Sequence, residues 1–587
     1  MHVIATAGHV DHGKSTLVRA LTGGEPDRLE EEQRRGLSIR LGYCWTTLPG
    51  IGEVAFVDVP GHERFITTTL AGVGPVPAAM LVVAADDPWM PQAAEHLAAL
   101  NALGVEHGVL VVTRADLADP GPALSRARDE LARTTLAGAP SVVVSGRTGE
   151  GLDLLRDTLT EVLAGLPVPD PTADVRLWVD RRFHVRGTGT VVTGTLAAGA
   201  VRVGDTLEVG GQTDGATVRV RGLESLGRPT GTVVATARVA LDLGGRAPAA
   251  VDAGAALTTP GAFEQASVLD VRLSGDGEVP EQPLLHVGAA AVPVRARPLD
   301  ERHARLTLSR PLPLRVGDRA VLRDPGSRAV WGVVVLDPAP PPLRRRGAAT
   351  ERARLLATAD GSAADELDRR GWARRSQLRR LGAVGATTTP PRGTLVAGDW
   401  WVSAGRAVQL RDALVALVGG RDPAAGGVPA PEAARSLGLP DAELLPGVVE
   451  LAGGDLRLDA GRVRRSDAGL PAVLADALAA LVRDLTDEPF AAPDAARLAE
   501  LRLDTRGIAL LAGAGHLLRV DGSVVLLPGA DDLAVGRLRE LPQPFTTSAA
   551  RQALGTSRRV ALPLLAHLDR TGRTRRGADD RRTVVAG

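Results

Sequence analysis

The residues best suited to chemistry lie near the start of the sequence, in the run Gly8-His9-Val10-Asp11-His12-Gly13-Lys14-Ser15. This run satisfies G-x-x-x-x-G-K-[ST], the phosphate-binding loop that follows a strand and opens a helix. Its glycines let backbone N–H groups wrap phosphate oxygens, its lysine reaches the β and γ phosphates, and its serine ligates magnesium. A Gly-rich turn is the structural alternative. We predict that the phosphates contact Asp11, His12, Gly13, Lys14, Ser15 and Thr16.

Lys14 is the only lysine among 69 basic residues. The other basic residues are arginines, so lysine is absent from every other position. A compact ammonium fits where a planar guanidinium does not. The one retained lysine therefore marks chemistry that arginine cannot supply.

A second motif, Asp58-Val59-Pro60-Gly61-His62, ends a β-branched run. Here Asp58 can hold magnesium through water and Gly61 can offer its N–H to the γ-phosphate. His62 can orient the attacking water as the catalytic residue, although a histidine after a strand is more often structural.

Two further motifs each end a strand-like run and indicate the base. In Thr113-Arg114-Ala115-Asp116, the carboxylate of Asp116 can accept two hydrogen bonds from guanine, which adenine cannot provide. In Ser145-Gly146-Arg147, backbone N–H groups can cap the base. We therefore predict guanine binding by Thr113, Arg114, Asp116, Ser145 and Gly146.

The elements around these motifs predict a multidomain chain. With 587 residues, about 100 to 200 per domain, a single core is excluded. Short β-branched runs alternate with helical stretches over residues 1–168, which indicates a parallel α/β domain. Val-, Thr- and Gly-rich runs with frequent turn signals follow, and they predict two β-barrels at 172–260 and 261–340.

Residues 344–587 are rich in Ala, Leu and Arg and contain a loose repeat. The strings Ala433-Ala434-Arg435, Ala495-Ala496-Arg497 and Ala549-Ala550-Arg551 each follow a proline and precede a second helical run and a hairpin. A weaker copy covers Arg370 to Val402. Helix, turn, helix and hairpin predict four α+β winged helices, which commonly bind nucleic acid; a helical protein-interaction domain is the alternative.

Charge and composition set the cellular context. The formal net charge is zero, but residues 341–587 carry 36 arginines against 29 acidic residues, and the last 43 residues hold nine arginines and three aspartates. This basic end is where an anionic partner such as nucleic acid is expected. Cys44 is the only cysteine, and no apolar run or basic leader precedes His9. We expect a cytoplasmic monomer with no membrane contact.

The four nucleotide motifs resemble those of the translational GTPases, the factors that deliver tRNA or move the ribosome. The resemblance adds a magnesium-binding switch at Arg35 to Ile39, so that the implied magnesium ligands are Ser15, Ser38 and Asp58. The family has threonine at Ser38, lysine at Arg114 and usually alanine at Gly146. We expect a modest change in nucleotide affinity from these departures. The implied cofactors are GTP and Mg²⁺.

Longer strings resemble the bacterial selenocysteine-specific elongation factors within that family. They are Arg176 to Arg181, Gly187 to Leu196 and Gly317 to Ser327, together with the C-terminal winged helices. The resemblance implies a GTPase that carries selenocysteinyl-tRNA to ribosomes at UGA codons marked by an mRNA hairpin. It also implies an aminoacyl pocket of Asp180, Arg181 and Arg238, in which arginines favour an anionic selenol over a neutral hydroxyl. A surface pair of Asp180 with Arg181 beside a solvated Arg238 is the alternative.

The same resemblance places the mRNA hairpin against the last repeat. Winged helices bind RNA through arginines on phosphates and unstacked bases, and a solvated basic tail is the alternative here. Rival functions are a general elongation or initiation factor, a non-translational P-loop kinase, and an RNA adaptor with an inactive GTPase centre. The predicted RNA contacts are Arg551, Arg558, Arg559, Arg573, Arg575 and Arg576.

Overall fold

The computed structural model describes residues 1–26, 38–87, 89–211, 215–245, 248–386, 389–421, 426–466, 472–521 and 524–585, with the backbone alone at 63 and 472. They form two compact units, residues 1–394 with 399–403, and residues 395–398 with 404–587. The division lies inside the segment predicted as winged helices. No helix in these ranges is long and apolar enough to cross a bilayer.

The first 165 residues form an α/β domain. Its elements are β1 His2–Ala7, α1 Lys14–Thr22, β2 Gly42–Leu48, β3 Gly52–Asp58, α2 Ile66–Val73, β4 Ala78–Ala84, α3 Pro91–Leu103, β5 His107–Thr113, α4 Gly121–Leu131, β6 Ser141–Val143 and α5 Leu152–Ala164. The sheet order is β2-β3-β1-β4-β5-β6. Strand β4 is buried along its whole length, as expected of a parallel strand with both faces covered.

The sheet differs from the predicted parallel sheet at one edge. Strands β1, β3, β4, β5 and β6 run parallel, whereas β2 pairs antiparallel with β3. Leu48 pairs with Gly52, so the connection is a short turn, and a parallel crossover needs a dozen or more residues. The carboxyl ends of the five parallel strands lie at one edge, which brings the four nucleotide motifs together.

The second domain is a closed antiparallel barrel. Its elements are β7 Arg176–Val185, β8 Gly189–Leu196, β9 Ala200–Arg202, β10 Thr206–Gly210, β11 Thr217–Ser225, β12 Arg228–Pro229, β13 Thr232–Val234, β14 Ala237–Gly245 and β15 Ala256–Thr258. The order β10-β15-β7-β8-β14-β11 closes because β10 also pairs with β11. Buried and partly exposed residues alternate along β14, with the apolar side facing the barrel core.

A second closed barrel follows. Its strands are β16 Glu264–Ser274, β17 Leu284–Val287, β18 Ala290–Pro298, β19 His303–Leu314, β20 Arg319–Arg323 and β21 Val330–Asp337, in the order β16-β19-β18-β17-β20-β21. Its apolar core includes Trp331, Leu306 and Val333. Both barrels predicted from the turn-rich pattern are therefore present.

The segment after the barrels begins in the first unit. Its elements there are α6 Ala348–Ala357, α7 Ala363–Arg370, β22 Trp372–Arg374, α8 Arg375–Leu381 and β24 Trp400–Val402, while β23 Leu395–Ala397 belongs to the second unit. Strand β22 pairs antiparallel with β24. The helices pack around a small core that contains Leu367, Leu378 and Trp401.

A buried ion network joins these helices to the second barrel. Asp270 accepts from Arg305 Nε at 2.7 Å and from Arg352 Nε at 2.7 Å. Arg370 Nη2 donates to Asp337 at 2.5 Å. Both carboxylates are almost fully buried. Charges removed from water to this degree must be paired, because an unpaired buried charge is very costly.

The second unit contains three winged helices, each with three helices and a hairpin. The elements of the first are α9 Ala404–Gly419, β25 Val428–Pro429, α10 Ala430–Ser436, α11 Leu445–Glu450, β26 Leu456–Asp459 and β27 Arg462–Arg465. Those of the second are α12 Ala472–Asp487, α13 Ala495–Glu500, α14 Thr505–Gly513, β28 Leu518–Arg519 and β29 Val525–Leu526. Those of the last are α15 Ala530–Arg539, α16 Thr547–Ala553, α17 Arg558–Arg570, β30 Thr574–Arg576 and β31 Arg582–Val584.

The three repeated Ala-Ala-Arg strings lie in α10, α13 and α16, the second helix of each winged helix. The predicted α+β winged-helix fold is thus confirmed, and the alternative of a purely helical protein-interaction domain is wrong. The repeat was visible in the sequence because the same Ala-Ala-Arg string recurs in the second helix of each copy.

Candidate functional site

The phosphate loop connects β1 to α1 and has an unusual backbone. Gly8 has φ 131° and Gly13 has φ 79°, and an added Cβ on Gly8 would lie 2.1 Å from the carbonyl oxygen of Val82. Only glycine fits at Gly8 for both reasons. Gly13 caps α1, and its carbonyl oxygen accepts from the N–H of Leu17 at 2.8 Å.

Lys14 folds back across this loop. Its Nζ donates to the carbonyl oxygens of Gly8 at 3.1 Å and His9 at 2.7 Å, and the residue is 6% exposed. A Cβ added to Gly61 would lie 2.5 Å from Lys14 Nζ. The Asp-x-x-Gly motif therefore approaches the lysine ammonium closely, as binding of a shared γ-phosphate requires.

Three oxygen-bearing side chains converge beside the loop. Ser15 Oγ donates to Asp58 Oδ2 at 2.7 Å and lies 3.2 Å from Ser38 Oγ. Thr6 holds the other carboxylate oxygen of Asp58 at 2.7 Å. Hydroxyl and carboxylate oxygens are the ligands that Mg²⁺ prefers, so the predicted set fits this ion. The part of the predicted switch at Arg35 to Leu37 lies outside the described residues.

The base-recognition motifs meet at the other end of the loop. Thr113 Oγ1 donates to the His12 carbonyl oxygen at 2.7 Å, and Ser145 Oγ donates to Asp116 Oδ1 at 2.7 Å. Arg114 pairs with Asp86 at 3.0 Å and also contacts the carbonyl of Asp11. Arg114, which stands where the family has lysine, is therefore held between the phosphate loop at Asp11 and the segment after β4 at Asp86, with its stem beside the pocket.

A cavity of about 490 Å³ links the two ends. The predicted residues that line it are Asp11, Gly13, Lys14, Ser15, Thr16, Ser38, Gly61, Thr113, Arg114, Asp116 and Gly146. His12, Asp58 and Ser145 lie behind this lining and hold it in place. Arg147 also lines the cavity, and sequence reasoning had noted it only as part of its motif.

His62 lies outside the lining of this cavity. Its Nδ1 accepts from the backbone N–H of Arg64 at 3.2 Å, and its ring centroid is 5.9 Å from that of Phe65. A water-orienting role therefore requires the ring to move toward the γ-phosphate end. The catalytic role of His62 stays a prediction.

Sequence reasoning missed one histidine, His96, that supports the loop from below. His96 on α3 is buried, and its Nδ1 accepts the N–H of Gly8 at 3.0 Å. Burial lowers the pKa of His96 to about 3, so the ring is neutral and can accept. His12 Nε2 lies 3.2 Å from Asp87, and burial also lowers its pKa. The contact of His96 with Gly8 spans 88 residues, so no motif or spacing in the sequence could predict it.

The predicted aminoacyl residues lie together on β7 and β14. Arg238 Nη2 donates to Asp180 Oδ1 at 2.6 Å, and its other nitrogen contacts Oδ2; the side chains are 11% and 5% exposed. Asp180 therefore pairs with Arg238, not with Arg181, and Arg238 is not solvated. The alternative of a surface pair between Asp180 and Arg181 is wrong, because Asp180 forms a buried, two-pronged ion pair with Arg238.

Tyr43, on β2 of the first domain, contacts both Arg181 and Arg238, which are called the arginine pair below. The guanidinium carbons of Arg238 and Arg181 lie 3.8 and 4.9 Å from its ring centroid. Burial raises the pKa of Tyr43, which keeps its phenol neutral. Arg181 also donates to the carbonyl of Leu41. Arg181, Arg238 and Tyr43 line a cavity of about 150 Å³, with Trp45, Phe183 and Glu224.

The six predicted RNA arginines divide into two groups. Arg559 donates to the carbonyl of Ala492 at 2.5 Å, Arg573 pairs with Asp531 and Asp532, and Arg576 pairs with Asp580. Within the described part of the chain, no side-chain partner is found for the other group, Arg551, Arg558 and Arg575.

Comparisons with known proteins agree with this geometry. Residues 1–165 match the family described as elongation factor Tu GTP binding domain, and residues 537–583 match elongation factor SelB, winged helix. The selenocysteine-specific elongation factor of Escherichia coli K12 is 38% identical over 347 residues, 57% of this chain and 56% of that one. That of Desulfomicrobium baculatum is 35% identical over 380 residues, 61% and 59% of the two chains.

A solved structure extends the match to the full length. The crystal structure of bacterial selenocysteine-specific elongation factor EF-Sec aligns over 100% of both chains, with a TM-score of 0.75 and 26% identity. The chain is thus similar to selenocysteine-specific elongation factors over its full length. Its first domain matches a GTP-binding domain family, and guanine recognition by Asp116 stays a prediction. The sequence alignments span a little over half of the curated relatives they match.

Proposed function

We propose that the chain, in its GTP form, carries selenocysteinyl-tRNA to ribosomes at UGA codons and is tethered to an mRNA hairpin by its winged helices. It acts as a cytoplasmic monomer that hydrolyses GTP on the ribosome. The observation that carries the proposal is the buried Asp180–Arg238 pair beside Arg181 in a cavity of about 150 Å³. A selenol is acidic enough to be an anion at neutral pH, whereas the hydroxyl of serine is neutral. Two guanidinium groups stabilise the anion selectively.

The nucleotide and the arginine pair are linked by a short stretch of chain. Leu41, which accepts from Arg181, follows Ser38 by three residues, and Tyr43 contacts both guanidinium groups. Ser15, Ser38 and Asp58 would hold the magnesium ion, which neutralises phosphate charge when bound. A change in the position of Ser38 between nucleotides reaches the arginine pair through Leu41 and Tyr43. This contact supports dependence of aminoacyl binding on GTP.

Hydrolysis is assigned to His62 on the ribosome. Gly61 lies against Lys14, so the residue after it can reach a water at the γ-phosphate once the ring turns from Arg64 and Phe65. Release of phosphate would free Ser38 and so loosen the arginine pair. The tRNA would therefore be released after GTP hydrolysis and not before it.

The proposed RNA tether is the last winged helix. Within the described residues, its arginines without a side-chain partner are on α16 (Arg551), at the start of α17 (Arg558) and on the hairpin (Arg575). The translation initiation factor 2 subunit gamma of Methanococcus maripaludis is 36% identical over only 35% of this chain. The function of a general initiation or elongation factor does not account for the winged helices, so we do not favour this alternative.

The test is protection of aminoacyl esters by the purified chain. Selenocysteinyl-tRNA and seryl-tRNA are incubated with the protein and GTP or GDP, and the rates of ester hydrolysis are compared. We expect protection of the selenocysteinyl ester with GTP only. Equal protection of both esters would remove the selenium-specific claim, and protection of neither would contradict tRNA delivery.

A further inference from the structure

The arginine of the guanine motif is held by two separate segments. Arg114 Nη1 lies 3.0 and 3.1 Å from the two carboxylate oxygens of Asp86, and its Nη2 donates to the carbonyl oxygen of Asp11. Asp86 lies two residues after β4 and belongs to none of the nucleotide motifs. A guanidinium offers two terminal nitrogens to two partners at once, whereas lysine has a single one. Arg114 therefore bridges the phosphate loop to the segment after β4.

The backbone at this bridge is strained. Arg114 has φ 57° and Asp11 has φ 63°, so both lie in the left-handed region. Aspartate tolerates this region better than a long side chain such as arginine. Backbone strain of this kind persists where surrounding contacts hold the residue in place, and it is concentrated at functional sites. The contact with Asp86 supplies part of that restraint from outside the motif.

The segment after β4 is itself tied to the nucleotide site on both sides of Asp86. The N–H of Ala85 donates to the carbonyl oxygen of Thr113 at 2.9 Å, and Thr113 Oγ1 donates to the carbonyl oxygen of His12 at 2.7 Å. Asp87 Oδ2 lies 3.2 Å from His12 Nε2. Because its two neighbours are held in this way, the carboxylate of Asp86 is a fixed partner for the guanidinium.

The pair of Asp86 and Arg114 is open to solvent. The two side chains are 29% and 33% exposed. An ion pair with this exposure contributes modestly and weakens as salt is added. Arg114 lines the nucleotide cavity at the end where Asp116 also lies, and Asp86 lies behind that lining. Asp86 therefore acts on a bound nucleotide through Arg114.

We propose that Asp86 is a positioning residue that slows the release of guanine nucleotide by holding Arg114 across the phosphate loop. The bridge joins the guanine motif to the loop that carries Lys14, so it must break before these two sides of the cavity can separate. It lies at the base end, away from the γ-phosphate end where Gly61 approaches Lys14. It therefore slows the release of GDP and GTP alike. The proposal rests on the proposed function only for the identity of the nucleotide.

The test is the rate at which the full chain releases fluorescent GDP and GTP, measured by stopped flow with an excess of unlabelled nucleotide. In Asp86→Asn, both rates should rise by about two- to five-fold, as loss of a partly exposed ion pair predicts. Asp153→Asn removes the carboxylate of another exposed pair of the same domain, that with Arg156 on α5, and it should leave both rates unchanged. Unchanged release from Asp86→Asn, or faster release of one nucleotide only, would overturn the proposal.

A second substitution shows whether Asp86 acts through Arg114. Arg114→Met keeps an apolar stem beside the cavity and removes the guanidinium, so release should be faster than in the parent chain. In that background, Asp86→Asn should have no further effect, because its partner is already gone. The same fold-change in both backgrounds would show that Asp86 acts independently of Arg114 and would contradict the proposal.

Salt and thermal stability separate positioning from a structural role. The ratio of the release rates of Asp86→Asn and the parent chain should fall toward one between about 0.1 and 1 M salt, since screening removes the ion pair from the parent. The melting temperature without nucleotide should not change. A ratio that is independent of salt, or a lower melting temperature, would mean that Asp86 supports the fold and would count against the proposal.

The outcome for Asp86 is independent of the outcome for tRNA delivery. Failure of ester protection, together with the expected release rates, would remove the proposed delivery function and leave the role of Asp86 in place. Successful ester protection with unchanged release rates would remove the role of Asp86 alone.

Discussion

Arg238 and Asp180 form a buried, two-pronged ion pair, with Arg238 Nη2 2.6 Å from Asp180 Oδ1. The pair is held on one side by Thr195 and Thr193 and on the other by the ring of Tyr43. Asp180 and the neutral ring together fix the direction of the guanidinium, which lines the cavity. A fixed cation discriminates better than a mobile one, because no ordering cost is incurred on binding.

Replacement of Arg238 should reduce selectivity for selenocysteine. In Arg238→Gln, the lost charge-assisted contact should weaken GTP-dependent binding of selenocysteinyl-tRNA by about 10- to 100-fold. Binding of seryl-tRNA should change little, because its neutral hydroxyl gains little from the cation. Ester protection with each tRNA measures both. Arg182→Gln is the matched control, since Arg182 is exposed and pairs with Asp252. Equal losses for the two tRNAs would refute the electrostatic basis of selectivity.

Replacement of the only lysine should show why it is retained. Lys14 Nζ is held by two carbonyl oxygens, and the Cβ position of Gly61 is 2.5 Å away, which leaves no room for a guanidinium. Lys14→Arg should therefore weaken GTP binding by about 10- to 100-fold, as the loss of one charged hydrogen bond predicts. Titration with a fluorescent GTP analogue checks this. The control is Arg19→Lys, the reverse exchange at another residue that lines the cavity, which should change GTP affinity little.

The sequence predicted the nucleotide site well because its residues lie in contiguous motifs at strand ends. Gly8, Lys14, Asp58, Thr113 and Asp116 all fall where the strand–loop pattern places them. Contacts between distant segments left no such signal. Pairing of His96 with Gly8 and of Arg352 with Asp270 spans 88 and 82 residues.

The arginines of the last winged helix show the same limit. Charge alone marked all six, but Arg559 is engaged by a carbonyl of a distant segment, Arg573 by two aspartates of α15, and Arg576 by Asp580 in the turn of its own hairpin. The antiparallel edge strand β2 was missed because Gly42–Leu48 is not a continuous β-branched run. Predictions from one sequence therefore identify chemistry more readily than pairing.

Acid should destabilise the first domain through His96. Its folded pKa of about 3 lies below its ordinary value of 6.5, so the unfolded chain binds the extra proton between these values. The stability it contributes is complete above pH 6.5 and is lost as the pH falls. From pH 6.5 to 5 the loss is about 2 kcal/mol.

The measurement is calorimetry of the full chain, following the transition that added GTP shifts. In His96→Gln this transition should depend less on pH than in the parent chain. His9 and His12 also have lowered pKa values and titrate in the same direction, so the difference between the two chains is the relevant quantity. Parallel pH curves would show that His96 does not account for the effect.

The buried network between the second barrel and α7 should be sensitive to loss of one carboxylate. Asp337 is 1% exposed and accepts from Arg352 and Arg370. In Asp337→Asn, Arg352 keeps Asp270 and Arg370 keeps Glu366, but the buried network loses one negative charge, and a cost of about 3 to 5 kcal/mol is expected. The exposed pair Arg345–Glu351 provides the control, and Glu351→Gln should cost less than about 1 kcal/mol. Calorimetry that finds equal costs would contradict the role given to burial.

Replacement of His62 should separate nucleotide binding from hydrolysis. The ring lies outside the cavity lining and its Nδ1 is engaged by the N–H of Arg64, so His62→Ala should leave GTP affinity unchanged. If His62 orients the attacking water on the ribosome, stimulated hydrolysis should fall by about 10²- to 10⁴-fold. Single-turnover GTP hydrolysis with and without ribosomes measures this, and Phe65→Leu tests whether the ring contact at 5.9 Å restrains the histidine. Faster hydrolysis without ribosomes in Phe65→Leu would show such a restraint, and normal stimulated hydrolysis in His62→Ala would remove the histidine from the reaction.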